Sequence, residues 1–205
     1  MRALPVGERA LLVECGSGER AEALHAELLR RAARDELPPV AEIVPADRTV
    51  LLDGLDDPAS FAAELAGWEI PPPDGGRRRT VEIPVRYDGP DLAEVARLWD
   101  VTPREAVRIH TGTEFRVAFC GFAPGFGYLR GLPDRCQVPR RDTPRTRVPA
   151  GSVALAGPYT GVYPRPTPGG WQLIGSTDAV LWDPGRSPAA LFTPGTLVRF
   201  REAGC

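Results

Sequence analysis

The sequence predicts a small α+β domain over residues 1–76 followed by a mainly-β barrel over residues 77–205. Three observations predict it. Short apolar runs alternate with helix-forming stretches in the first third of the chain. Pro71–Gly76 (PPPDGG) then offers no side chain to pack and breaks the pattern. Beyond it, short apolar runs are punctuated by turn residues, most densely between Phe119 and Gly175, where 10 Gly and 9 Pro fall. That is about a third of the segment, against roughly 12% in average protein. Many short strands at such spacing indicate a closed or nearly closed barrel.

In the first unit, Ala10–Cys15 (ALLVEC) reads as a strand. Glu19–Glu36 is rich in helix formers, with Leu24, Leu28 and Leu29 at helical spacing, and Pro38 and Pro39 stop it. Val40–Val44 and Thr49–Leu52 form a hairpin around Pro45–Arg48. A second helix runs to about Trp68, with Asp57 as N-cap and Pro58 in its first turn. The order β-α-β-β-α fits a ferredoxin-like sandwich, helices on one face of an antiparallel sheet.

The second unit opens on the alternating strand Thr80–Arg86. Asp91–Trp99 follows as a short helix with Leu92, Val95 and Leu98 on one side. Thr102, Pro103 and Glu105 spell a capping box that starts another helix, and His110 ends it, where the helix dipole favours a protonated imidazole. Strands then alternate with turns down to Thr196–Phe200.

Charge divides at the same boundary. Residues 1–76 carry 7 Arg and 15 acids, and residues 77–205 carry 18 Arg and 12 acids. All 25 basic residues are arginine, which excludes a lysine Schiff base and a P-loop lysine and leaves anion binding to guanidinium groups. The basic residues concentrate in one loop without a nucleic-acid motif, so no nucleic-acid partner is expected. No apolar run of membrane-spanning length and no secretory signal is present, which points to the cytoplasm. Cys15, Cys120, Cys136 and Cys205 have no metal spacing and are expected to be buried reduced thiols; no metal site is expected.

Three blocks carry candidate chemistry. GFAPGFGYLRGL (Gly121–Leu132) sets Phe122, Phe126 and Tyr128 among glycine and proline, including Pro124 and Gly125. It is either a rigid aromatic wall of a cleft or a barrel turn whose rings are core. PRRDTPRTRVPAGSV (Pro139–Val153) packs Arg140, Arg141 and Arg145 into six residues of proline-stiffened chain, which calls for a compensating anion or partner unless the loop is merely solvated. Ser152 within it lacks a nucleophile elbow and suits a hydrogen bond to a ligand. TGVYPRPTPGGWQLIG (Thr160–Gly175) places Tyr163 and Trp171 around Gly169 and Gly170, with Gln172 beside them. There is no standard nucleotide-binding motif.

Taken together, GFxPGFxYLxGL, PRRxTPRxxVPxGSV and TGxYPxxxPGGWxxIG closely resemble the signature of the 5-oxoprolinase B-subunit family, also known as KipI-like or allophanate hydrolase subunit 1. The resemblance spans essentially the whole chain. It implies a small α+β domain followed by a cyclophilin-like barrel, inactive alone. Partners would be the C subunit of 5-oxoprolinase, directly, and the A subunit. Together the three open 5-oxo-L-proline to L-glutamate with ATP hydrolysis, with magnesium supplied in the complex. The resemblance further implies Arg140, Arg141 and Arg145 as phosphoryl or carboxylate ligands and His110 as a proton carrier. Phe122, Pro124, Gly125, Phe126, Tyr128, Ser152, Tyr163, Gly169, Gly170, Trp171 and Gln172 would line the substrate cleft. The alternative implied by the same family is a regulator that binds and inhibits a sensor histidine kinase.

Overall fold

The computed structural model describes residues 1–72 and 79–204, so most of Pro71–Gly76, and Cys205, lie outside the described residues. The chain divides into two compact units, Met1–Arg77 and Arg78–Cys205.

The first unit holds β1 (Arg2–Val6), β2 (Ala10–Glu14), α1 (Gly18–Ala32), β3 (Glu42–Pro45), β4 (Thr49–Asp53) and α2 (Pro58–Ala66). Its sheet runs β1-β2-β4-β3, antiparallel throughout. The strand β1 is additional to the expected order. It is an edge strand, mostly exposed and containing Pro5, so it shows neither alternation nor an apolar run. Helix α1 ends earlier than expected. Asp35 takes a left-handed φ of 58°, and Glu36 N–H bonds back to Arg31 O, before the prolines are reached. Leu24 and Leu28 of α1 and Phe61 and Leu65 of α2 seal a core on Leu11, Val13, Val50 and Leu52.

The second unit holds β5 (Thr80–Val85), α3 (Leu92–Leu98), α4 (Pro103–Gly112), β6 (Glu114–Cys120), β7 (Gly127–Arg130), β8 (Arg145–Val148), β9 (Ser152–Ala156), β10 (Tyr159–Val162), β11 (Thr167–Gly169), β12 (Gln172–Ser176) and β13 (Leu197–Glu202). Seven strands make one sheet in the order β12-β9-β10-β7-β6-β13-β5, and β8 pairs with β11 separately. Among the described strands only β5 and β13 run parallel. The two edges meet where Arg86 and Ser176 exchange backbone hydrogen bonds of 2.8 and 2.7 Å, which nearly closes the sheet into a barrel. Phe115, Val117, Leu129, Val153, Leu155, Val162 and Phe200 fill its interior.

The expected capping box forms. Thr102 accepts from Glu105 N–H, and Glu105 accepts from Thr102 N–H at 2.8 Å. The face of α3 is rotated from expectation: Val95, Ala96 and Trp99 are buried while Leu98 is exposed. Cys15 and Cys136 are buried free thiols, and Cys120 is half-buried.

Strand β9 is buried on both faces. Val153 and Leu155 point into the barrel, whereas Ala154 and Ala156 belong to a second apolar cluster with Phe126, Tyr163 and Trp171. The alternation of branched and small residues follows from the two-residue period of a strand. It leaves room on the outer face for large rings.

Candidate functional site

The three sequence blocks converge on that outer face. Phe126 lies 5.5 Å from Tyr163 and 5.4 Å from Trp171, ring centre to ring centre, both edge-on, and Tyr128 lies 5.7 Å from Trp171. Such edge-to-face packing is what aromatic quadrupoles favour. Gly161 admits it: a Cβ there would sit 2.8 Å from Phe126 Cζ and 3.0 Å from Trp171 Cζ3.

This corrects part of the cleft reading. Phe126, Tyr163 and Trp171 are buried and form a small core of their own, so their rings are packing, not wall. Phe122 is the exception. It is 58% exposed, and its φ of +66° is a strained backbone for a side chain of this size. Tyr128 is half-buried, while Pro124 is exposed at the same loop and Gly125 is buried with a φ of +84°.

Ser152 is corrected too. It is buried, and its hydroxyl donates to Pro149 O at 2.9 Å inside its own turn. Gln172 is buried and donates from Nε2 to Pro139 O at 3.2 Å, tying the arginine loop to β12. Gly169 and Gly170 bring backbones close: a Cβ on Gly169 would collide with the Tyr163 hydroxyl, and Gly170 O accepts from Arg141 N–H at 2.8 Å.

The proton-carrier role of His110 is contradicted by its burial. Its side chain is 0% exposed, between Phe115 and Phe200 at 4.9 and 4.6 Å, with Nδ1 2.7 Å from the Tyr87 hydroxyl. Burial pushes its pKa down to about 3, overriding the helix-end effect expected from sequence. The imidazole is a neutral core group.

The arginines occupy a more ordered arrangement than a solvated loop. Arg141 Nη1 and Arg145 Nη2 donate to one oxygen of Asp91, at 3.0 and 2.8 Å. The other oxygen accepts Leu173 N–H at 2.7 Å. Burial acts to raise the Asp91 carboxyl. The bonds from Arg145 and Leu173, with the two guanidinium charges, outweigh it and hold the group below the usual carboxylate range. Asp91 is 5% exposed. The compensating anion foreseen for the cluster is therefore, for two of its members, inside the chain. In the sequence Asp91 is only the start of a helix, and nothing there links it to arginines about fifty positions on.

Arg140 is different. It is exposed, and it forms no ion pair among the described residues. Burial raises both the Tyr128 and Tyr163 phenols, and the Arg140 charge works against it in each case, placing this guanidinium in the electrostatic reach of both rings. The surface thus presents one open cation beside two braced ones, with exposed Phe122 6.2 Å from Tyr163 on the same cluster. An arrangement of this kind can hold a carboxylate or phosphoryl oxygen. Among the described residues, no three His, Cys, Asp or Glu side chains gather where a metal ion would sit.

Residues 1–192 match the family model described as "Carboxyltransferase domain, subdomain C and D". The B subunit of 5-oxoprolinase from Escherichia coli O157:H7 is 45% identical over 172 residues, 80% of this chain and 79% of that protein. The B subunit of 5-oxoprolinase from Bacillus subtilis (strain 168) is 51% identical over 126 residues, 60% of this chain and 52% of that protein. Among solved structures, that of TTHA0988 superposes with a TM-score of 0.78 at 37% identity, covering 96% of this chain and 40% of that one. The matched region is thus about half of the B. subtilis relative and less than half of TTHA0988.

Proposed function

The chain belongs to the 5-oxoprolinase B-subunit family, and from that premise we propose that it acts with the A and C subunits of that enzyme, the C subunit being its direct partner. Together they open 5-oxo-L-proline to L-glutamate with ATP hydrolysis, in the cytoplasm. We read the first unit as ferredoxin-like and the second as a cyclophilin-like barrel. The chemistry asked of the complex is activation of an unreactive lactam by phosphate from ATP, so that water can open it. Positive charge must then be placed where a transferring phosphoryl group or the substrate carboxylate sits. Magnesium would enter the complex with the ATP phosphates.

The observation that carries the reading is the open Arg140 beside the braced Arg141 and Arg145. Half a site of this kind, cationic but without a nucleophile or nucleotide loop, suits a protein that completes its active site with a partner. None of the relatives above is named as a kinase regulator, and no feature of the described residues favours that role.

Arg140→Ala tests the reading cleanly, because Arg140 balances no buried carboxylate in the described structure. The complex reconstituted with the variant should turn over 5-oxoproline-dependent ATP at least tenfold more slowly. Full activity in that variant, or in a complex lacking this chain, sinks the proposal.

A further inference from the structure

We propose that Asp91 is the positioning residue of this site: it fixes Arg141 and Arg145 as a rigid pair and thereby leaves Arg140 as the group that meets the anion. The inference rests on the function proposed above and goes further by dividing the cluster into a scaffold and a ligand-facing member.

The first line of argument is where the Asp91 carboxylate is not used. It stands at the N-cap of α3, where an aspartate ordinarily accepts from the first free N–H groups of its helix. Here it makes no capping hydrogen bond. It turns instead to the arginine loop and to β12. The cost of that choice falls on α3, which is only seven residues long and forgoes a stabilising side-chain cap.

The second is that the backbone is locked in both directions. Asp91 N–H donates to Leu173 O at 2.9 Å while its side chain accepts Leu173 N–H, so carboxylate and strand β12 hold a fixed relation. The arginine side is equally fixed. Arg141 N–H is bound to Gly170 O, and Arg145 pairs with Gly169 in the β8–β11 ladder. A carboxylate between two anchored arginines sets the position of both guanidinium groups to within the tolerance of two hydrogen bonds.

The third is charge. Two guanidinium groups and one carboxylate leave a single net positive charge, which relieves the repulsion that would otherwise spread the loop. Each guanidinium also keeps a buried N–H with no acceptor among the described residues, Nε of Arg141 and Nη1 of Arg145. Donors left unpaired away from solvent cost free energy, a cost set against the bonds that each guanidinium makes to Asp91. Asp91 itself is buried behind these groups; its effect passes through Arg141 and Arg145.

Kinetics of the reconstituted complex test this. Asp91→Asn keeps an oxygen for Leu173 N–H but removes the charge. It should lower kcat at least tenfold while KM for 5-oxoproline and for ATP stay within about threefold, with co-purification of the partner subunits intact. Asp91→Glu, which restores the charge, should recover part of kcat. The triple variant Asp91→Asn/Arg141→Met/Arg145→Met should be no slower than Arg141→Met/Arg145→Met, since Asp91 acts through those two residues. If Asp91→Asn does not fold, Asp91→Glu carries the test against the parent: its longer side chain displaces the carboxylate, so kcat should fall with KM within about threefold, and a parental kcat overturns the proposal. Unchanged kcat in Asp91→Asn, no rescue by Asp91→Glu, or additive losses in the triple variant overturn the proposal. Loss of turnover in Arg140→Ala together with normal kcat in Asp91→Asn would overturn it alone. Normal turnover in the Arg140, Arg141 and Arg145 variants would overturn it together with the function on which it rests.

Discussion

The buried His110 makes a quantitative prediction about stability. Its imidazole is held neutral by burial, with a pKa near 3 against 6.5 for a free histidine. Below pH 6.5 the unfolded chain therefore takes up a proton that the folded chain refuses. Stability contributed by this residue is complete above pH 6.5 and declines as pH falls, until the folded form also protonates near pH 3. Between pH 7.5 and pH 5.0 the linkage amounts to about 2 kcal/mol, most of it from the roughly 1.5 pH units below the unfolded pKa at about 1.4 kcal/mol each. The buried carboxylates Glu27 and Asp91 do not interfere in this window, because both are held below their usual range and stay ionised.

The assay is urea unfolding at pH 7.5 and pH 5.0, followed by tryptophan fluorescence. Three of the four tryptophans, Trp99, Trp171 and Trp182, lie in the second unit, so the signal reports chiefly on the barrel. His110→Phe replaces the ring by one that suits its aromatic neighbours. It strands the Tyr87 hydroxyl and should start about 1 kcal/mol lower. The stability of its barrel should nonetheless change far less than the parent's across the two pH values; His25, whose pKa burial also lowers, lies in the first unit. A variant that loses as much stability as the parent between pH 7.5 and 5.0 refutes the reasoning.

Three further outcomes are expected. Gly161→Ala should cost about 1–3 kcal/mol of barrel stability in the same assay, because its methyl group meets Phe126 and Trp171 at less than contact distance. Thr102→Ala should lower stability by about 1 kcal/mol through loss of the capping box, measured by thermal unfolding, without altering turnover. Phe122→Ser should leave stability within about 0.5 kcal/mol, since the ring is mostly exposed, yet slow the reconstituted complex or weaken its assembly; normal turnover and assembly would remove Phe122 from the site.

Local rules are legible in the sequence wherever one residue's chemistry decides the outcome. The Thr102–Glu105 box, the Asp57 cap, which accepts Ser60 N–H at 2.9 Å, and the stripe of Leu24 and Leu28 are of this kind, although Leu29, read with that stripe, is exposed. What escapes depends on partners distant in sequence. Strand β1 is defined by pairing with β2 and not by its own pattern. Asp91 is defined by arginines that the barrel brings to it. At His110 the helix-end rule misleads because it acts weakly and burial acts strongly, and only the fold states which applies. The aromatic block reads equally as wall or core. For Phe126, Tyr163 and Trp171 packing decides for core, and for Phe122 exposure decides otherwise.

The parallel pairing of β5 and β13 bears on how the barrel is made. Strand β13 lies between β5 and β6, although it is translated after every other strand described. Until residues 197–202 leave the ribosome, a slot stands open between β6 and the edge strand β5, and β5 lacks the neighbour with which it shares all six of its register positions. Unpaired edges of that length invite pairing with other chains. A nascent chain stalled before Leu197 should therefore aggregate or recruit chaperones, while one whose β13 has fully emerged can close. Strand β13 acts as the keystone of the barrel, and biosynthesis sets it after the stones it locks.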